Sequence, residues 1–556
     1  MLEIWLERLR TEQSSLAEDV VEGRRFFWLG SGISREQAPD LIALVRHALL
    51  FLRDRATGGA GDAAEHGEAL ERLLGDYLPH ELDLYRIAGA GWEPGDLETT
   101  RNKYSQVLGT RINGKPSNYL LMEGADVPAR YGDPALQPGP EHKLLAILIA
   151  EGALAEMASG NWDGLLEKAV HELSGEPSRL SVHVVASDTR HPSSSSWIAK
   201  FHGCAVRALE APDIYGPAIV ATTAQISVWS TAQEFAHMRL PLIQNAQRLR
   251  SFVLGLSVQD ANLLDVFTVA AQGLPWAWDP SHPAYVFAEP QISNTQEDVL
   301  DNCYGAEFSA HRADILKKSA VGGYSNSILA ALALYVVVEK LRAALSRRSG
   351  VSAALAAELS GGLGAIEVHL ARTVGDRYFR VVDFLVDGLS RLVRQFNGAE
   401  HYVTAATYTA LVVGSRSHVL HDPTVTMLGA DSFSTFVALI GCGVSRPNWR
   451  IRIKPRDGYL FVEVRRPEAR PLLVAIVGSA SAEDEVLRLP TWESGAESVV
   501  LVHSGASRPT VSRSTASRMG TGRGGRSRRE VWLDDVLSVV HTTEDALENL
   551  LATSGA

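Results

Sequence analysis

The sequence predicts an α/β fold: a parallel sheet with helices on both faces, followed by a second, mixed α/β domain. Three observations carry this. In the first half, short β-rich runs alternate with helical ones, the pattern of parallel strands joined by crossover helices. Past about residue 295 the texture changes, first to long helical stretches and then to strands again. At 556 residues the chain also exceeds one ordinary core, so two or three domains are expected.

Taken in order, FFWLGSGIS (26–34) reads as strand, tight turn and helix start, with Ser34 as helix cap and Gln37 three positions on. LIALVRHALLFLRD (41–54) has helical spacing, and GGAGDAAEHGE after it reads as a flexible loop leading into a helix. EHKLLAILIAEGALAEM (141–157) is a mostly buried helix giving way to a strand near its end. Further short strands are expected at 179–187, 197–203, 218–223, 251–257 and 284–290, separated by helices such as DGLLEKAVHEL and EFAHMRLPLIQNAQRLR. Ligands of such sheets bind beyond the carboxyl ends of the strands. The turns after FFWL, after KFHG and after SFVLGLS should therefore share one crevice. In the second half, helices are expected at 327–348, 352–371 and 378–396, then strands at WRIRIK, GYLFVEVRR, LLVAIVG and SVVLVHS. The segment 508–530 carries seven arginines among Ser and Gly, with Glu530 as its only acid, and reads as a mobile loop.

Composition narrows the function classes. A formal charge of -12 argues against the whole molecule being a non-specific nucleic-acid binder. Cys204, Cys303 and Cys442 are far apart and form no C-x-x-C pair, which leaves neither a structural zinc site nor a disulfide framework. No metal is expected. The N-terminus lacks a signal-peptide core, and the longest apolar run, Ile328 to Val338, is too short to span a bilayer. The expectation is a cytosolic protein with no membrane association.

Four constellations in the first half have chemistry to offer. GSGIS presents a glycine turn whose backbone N–H groups suit a phosphate. In SGNWDGLLEKA, Asn161 and Asp163 stand at a strand-to-helix junction, where capping by Asp163 is the simplest role. In KFHGC, His202 follows a strand and precedes a glycine. In VLGLSVQDAN, Gly255, Ser257, Asp260 and Asn262 fill a polar turn between a strand and an apolar helix.

Taken together, GSGIS, SGNWD, FHG and GLS resemble, in order, the motifs of the sirtuin family over roughly residues 24–290. The similarity is greatest to bacterial sirtuin-like proteins of antiviral defence, in which the Asn-x-Asp element runs into a helix like NWDGLLEKA. Their last motif extends as GLSVQDAN does. The resemblance implies a Rossmann-like, sirtuin-like catalytic domain at 1–295 and a regulatory or assembly domain at 296–556. Some features depart from the family. Ser31 replaces an alanine, Ser159 and Gly160 replace polar residues, SREQAPDL stands in place of the deacylase loop, and the zinc-ribbon cysteines are absent. That absence shifts the expectation from deacylation to hydrolysis of NAD to nicotinamide and ADP-ribose.

On this resemblance Gly30, Ser31, Gly32 and Ser34 would cradle the pyrophosphate. Asn161 would touch the nicotinamide ribose and orient water, Asp163 would hold the carboxamide, and His202 would be the general base. Gly255 and Ser257 would line the adenosine ribose, with Asp260 and Asn262 shaping the turn behind. A protein deacylase and a non-catalytic NAD or ADP-ribose sensor are the alternatives. Family habit implies a triggered effector of antiphage defence that acts by NAD depletion. It would be a homo-oligomer or a partner of a DNA-translocating ATPase or short Argonaute, released by a phage component, with nucleic acid met only indirectly or through the Arg-rich loop. In the second half, Asp457, Glu463 and Arg465 invite comparison with a nuclease core, but the spacing is short and an exposed strand pair is the simpler reading.

Overall fold

The computed structural model describes residues 1–59, 61–190, 194–258, 260–398, 407–456, 459–466, 471–487, 498–504 and 528–551. Six strands make an all-parallel sheet: β1 (Arg25–Leu29), β2 (Glu156–Ser159), β3 (Leu180–His183), β4 (Ser196–Lys200), β5 (Arg250–Leu254) and β6 (Tyr285–Phe287). Their spatial order is β3-β4-β2-β1-β5-β6. The run RFFWL is apolar after its first residue and buried throughout, as a central strand covered on both faces requires. From β1 the chain winds to one side through β2 and β4, then crosses back to β5 on the other. Such a reversal of winding opens a crevice at the carboxyl ends of the strands.

Register makes that crevice specific. Leu29 pairs with Ser159 on one side and Leu254 on the other, and Ser159 pairs with Lys200. The next residues of four strands therefore emerge side by side: Gly30, Gly160, Phe201 and Gly255. Between β1 and β2 a helical insert folds on its own apolar cluster, with helices Leu41–Thr57, Ala63–Tyr77 and Pro79–Ala88. That cluster also takes in Trp162, Ala205 and Ile219, which fixes the insert beside the crevice.

A second sheet follows, ordered β11-β10-β9-β8-β7. It comprises β7 (Arg450–Arg456), β8 (Tyr459–Arg465), β9 (Leu472–Val477), β10 (Ser498–His503) and β11 (Arg528–Trp532). β7, β8 and β9 pair antiparallel, β9, β10 and β11 parallel, so the sheet is mixed. Apolar packing crosses residue 295 without a break. The helix Ser325–Ser346 is buried along nearly its whole length and shares one cluster with the N-terminal helices, the helix Pro140–Ala150 and strands of both sheets. A buried Lys340 ties the halves further. Its Nζ donates to the carbonyl and carboxylate of Glu151 and to the Val412 carbonyl, while Tyr408 Oη donates to Glu151 Oε1 at 2.5 Å. Among the described residues no helix is long and apolar enough to cross a membrane.

Several local expectations are corrected. Ser31–Ser34 is a single 3₁₀ turn, and the helix after it starts at Leu41, where Asp40 Oδ1 accepts from Ala43 N at 2.7 Å; Asp40, not Ser34, is the cap. The stretch 218–223 is not a strand. The Gln225 side chain accepts from the amides of Ala221 and Thr222, and Thr222 Oγ1 accepts in turn from Gln225 N, so helix capping claims this backbone. Half of the expected loop GGAGDAAEHGE is helix from Ala63. Of the Arg-rich segment, 508–527 lies outside the described residues and 528–530 begins β11.

Candidate active site

The crevice is a cleft of about 560 Å³, the size of a small-ligand site. Its wall takes in Gly30, Ser31, Gly32 and Ser34 from the β1 turn, Asn161 and Asp163 from the β2 turn, His202 after β4, and Gly255, Ser257 and Asp260 after β5. Asn262 is not on the wall; it is buried behind His202.

The β1 and β5 turns touch backbone to backbone. A Cβ built on Gly30 would lie 2.4 Å from Gly255 O, and one on Gly32 would lie 2.6 Å from Gly255 Cα. Gly255 itself has φ +61°, a left-handed conformation natural to glycine. The contact is sealed by Gly30 N donating to Leu254 O and Gly32 N donating to Gly255 O, both at 2.9 Å. This corrects one expectation: those two amides, and that of Ile33, which donates to Gly30 O, are committed to the protein. The glycines are needed for the close approach of two turns, and Gly30 and Gly32 do not offer their N–H groups to a phosphate. Further along the β5 turn, Val258 has φ +54°, a strained conformation for a β-branched residue and one that clusters at functional sites.

The NWD element splits three ways. Trp162 packs edge-on to Tyr131 in the insert, with ring centroids 5.2 Å apart. Asp163 Oδ1 accepts from Leu165 N at 3.1 Å in a turn just before the helix Leu165–Ser174; the N-cap position itself is Gly164, not Asp163 as expected. Below, the buried Lys200 Nζ holds both the Asp163 carbonyl and Glu167 Oε1. Burial works against the Lys200 charge, but Cys204, Glu167 and Asp163 outweigh it and its pKa is raised. Asn161 turns to the cleft side. Its Nδ2 donates to Ser34 Oγ at 3.2 Å, and its buried Oδ1 has no hydrogen-bond partner among the described residues, which suits a ligand donor.

His202 is held by its own backbone and by Asn262. Gly203, at φ +92°, brings the chain against Ala218 and Ile219, and Val220 N donates to the His202 carbonyl at 3.0 Å. Asn262 Oδ1 accepts from Leu263 N, which aims its Nδ2 at His202 Nε2, 3.1 Å away. A donor at that nitrogen requires the neutral ring with its proton on Nδ1. Burial lowers the His202 pKa, opposed by Asp260 and the Asn262 contact.

The rest of the wall was not legible in the sequence because it comes from distant segments. Arg101, Asn102 and Tyr104 belong to the insert, and Tyr104 Oη donates to Asp260 Oδ1 at 3.3 Å across the cleft. Tyr324, Ser325 and Asn326, at the start of the helix Ser325–Ser346, come from beyond residue 295. The charged groups lining the cleft are Arg35 and Arg101 against Glu36, Asp40, Glu141, Asp163, Asp260 and Glu289. A wall this acidic favours positive charge, such as a pyridinium or a developing oxocarbenium ion.

Outside the cleft, Glu483, His503 and Glu530 of the second sheet region bring donor atoms within 4.8 Å of one another, a metal-ligand set by residue type. Asp457 lies outside the described residues, while Glu463 accepts from Lys454 Nζ at 2.8 Å, as in an ordinary strand pair. The three cysteines are buried and unpaired. No protein-family model matches this chain, and no curated protein matches it.

Proposed function

We propose that the chain is an NAD glycohydrolase. The observation that carries this reading is the meeting of Asn161, with an unpartnered buried acceptor, and a neutral His202 on one acidic cleft wall above two glycine turns. Cleavage breaks the bond between the nicotinamide nitrogen and the ribose anomeric carbon. The electron pair leaves with nicotinamide, and positive charge spreads over the ribose ring. Water then adds to that carbon and loses its proton to a base. Asn161 would orient the ribose and the water, Asp163 the carboxamide, and His202 would take the proton once a hydroxyl or water displaces Asn262 from its Nε2 lone pair. Arg35, Arg101 and the start of the helix Ser325–Ser346 are the groups on the wall suited to the pyrophosphate.

An enzyme that drains NAD harms its own cell, so the activity belongs under a trigger. In line with the family habit, that trigger is a phage component or assembly with itself or a defence partner, in the cytoplasm. A second reading, a nucleotide sensor without chemistry, is favoured by one observation: the His202 lone pair is already occupied by Asn262.

Nicotinamide release from NAD, measured without acyl-peptide and with the products of neighbouring genes added, separates the two. Stoichiometric nicotinamide and ADP-ribose support the hydrolase; tight binding without product supports the sensor. The pH profile adds a sign. His202 acts as a base only when neutral, and burial holds its pKa below the ordinary 6.5, so the acid limb of kcat/KM is expected below pH 6.5. The same depressed pKa contributes stability that is complete above pH 6.5 and is lost as pH falls through the folded-state value, because the unfolded chain takes the proton first. A limb at or above 6.5 would remove His202 as the base.

A further inference from the structure

We propose that His142 is a positioning residue for Asn161, acting through the hydroxyl of Ser34; this rests on the reading of the cleft as an NAD-cleaving site. His142 is buried at the third position of the helix Pro140–Ala150, and no motif in the sequence singles it out. Its two ring nitrogens have fixed and different tasks. Gly139 N donates to Nδ1 at 3.1 Å, so Nδ1 is the bare nitrogen and Nε2 carries the proton. Nε2 lies 3.0 Å from Ser34 Oγ and donates to it. Burial also lowers the His142 pKa, which keeps the ring in this neutral tautomer.

Ser34 Oγ thus accepts twice, from His142 Nε2 and from Asn161 Nδ2. Two consequences follow from counting donors and acceptors. Both lone pairs of Oγ are used, so the Ser34 proton is left to donate to whatever occupies the cleft. And because Oγ takes the amide nitrogen of Asn161, the Asn161 oxygen is the atom left without a partner among the described residues. A tautomer set at the start of one helix thereby decides which end of a cleft amide faces the ligand. The Gly139 contact alone would serve as half of a capping box, a purely structural role for His142.

Two substitutions separate these roles. Asn at 142 keeps an acceptor near the position of Nδ1 but has no donor long enough for Ser34. Gln carries an amide nitrogen to the position of Nε2 and, as Gln225 does at its own helix start, offers an oxygen that can accept from the Gly139 amide. For His142→Asn, the expected result is a near-parental Tm, unchanged KM and kcat down by about 10–100-fold, the scale of misorienting a reacting group. For His142→Gln, Tm is likewise near parental and most of the kcat is recovered. Crystal structures of both variants provide a readout independent of catalysis. The Asn161 amide should be turned or split between orientations in His142→Asn and native in His142→Gln. If the parent releases no nicotinamide under any condition, the hydrolase reading fails, and the crystal structures still decide the positioning role. An Asn161 amide native in both variants, or kcat that merely follows Tm, overturns the proposal.

Discussion

His202→Ala lowers NAD cleavage by about 10²–10⁴-fold, the usual contribution of a general base, while NAD binds with the parental Kd. Binding is expected to survive because the side chain contributes little to the fold that shapes the cleft. The turn is held by Gly203 against Ala218 and by the backbone bond from Val220 N to the His202 carbonyl, neither of which the substitution touches. What it removes is the imidazole whose Nε2 accepts from Asn262. The vacated space leaves Asn262 Nδ2 without its acceptor, a cost to stability of about 1–3 kcal/mol that should be checked by thermal unfolding before rates are compared. Nicotinamide release at the parental rate by a folded His202→Ala variant would exclude the histidine from the chemistry.

Gly255→Ala separates the two glycine turns and abolishes NAD binding. Two penalties act together. A Cβ at a φ of +61° carries the cost of a left-handed alanine, about 1 kcal/mol. The same Cβ would lie 2.8 Å from Gly32 Cα and from Ile33 N, both backbone atoms that cannot rotate away. Overpacking of this kind typically adds 1–3 kcal/mol, for a total of about 3 kcal/mol. If the turns part to relieve it, the bonds from Gly30 N and Gly32 N to the β5 end lengthen and the cleft floor opens. A fall in Tm with loss of NAD binding by calorimetry is the expected pair of results. A variant that keeps its parental Tm would show that the two turns are not in contact.

How much of this could be read in the sequence follows from which interactions are local. The runs at 26–29, 197–200 and 251–254 announced themselves as strands because a sheet covered on both faces needs unbroken apolar stretches. AIVATT looks the same, yet a threonine and a glutamine three positions apart turn it into a helix cap, and side-chain hydrogen bonds of that kind defeat an apolar count. Of the insert between β1 and β2, the helix Leu41–Thr57 was legible from its apolar spacing, whereas the stretch from 89 to 131 was not, because its helical segments are only 3 to 6 residues long and carry no extended period. In the site, Asn161, Asp163 and His202 were legible as residues that end strands. The commitment of the Gly30 and Gly32 amides to β5 was not, since it arises between turns more than two hundred positions apart. Tyr104 and Tyr324 were invisible for the same reason, since only the folded chain brings them to the cleft, as it brings His142 behind Ser34.

If Asn161 and His202 act on one ribose carbon, a crystal structure with a non-hydrolysable NAD analogue will show them together on the bound ligand. The expected structure has the nicotinamide ribose between these two side chains, with Asn161 Oδ1 and His202 Nε2 both within hydrogen-bond reach of a ribose hydroxyl or bound water, and the Asn262 contact to His202 broken. An analogue bound elsewhere, or seated in the cleft with its ribose out of reach of either side chain, would contradict it.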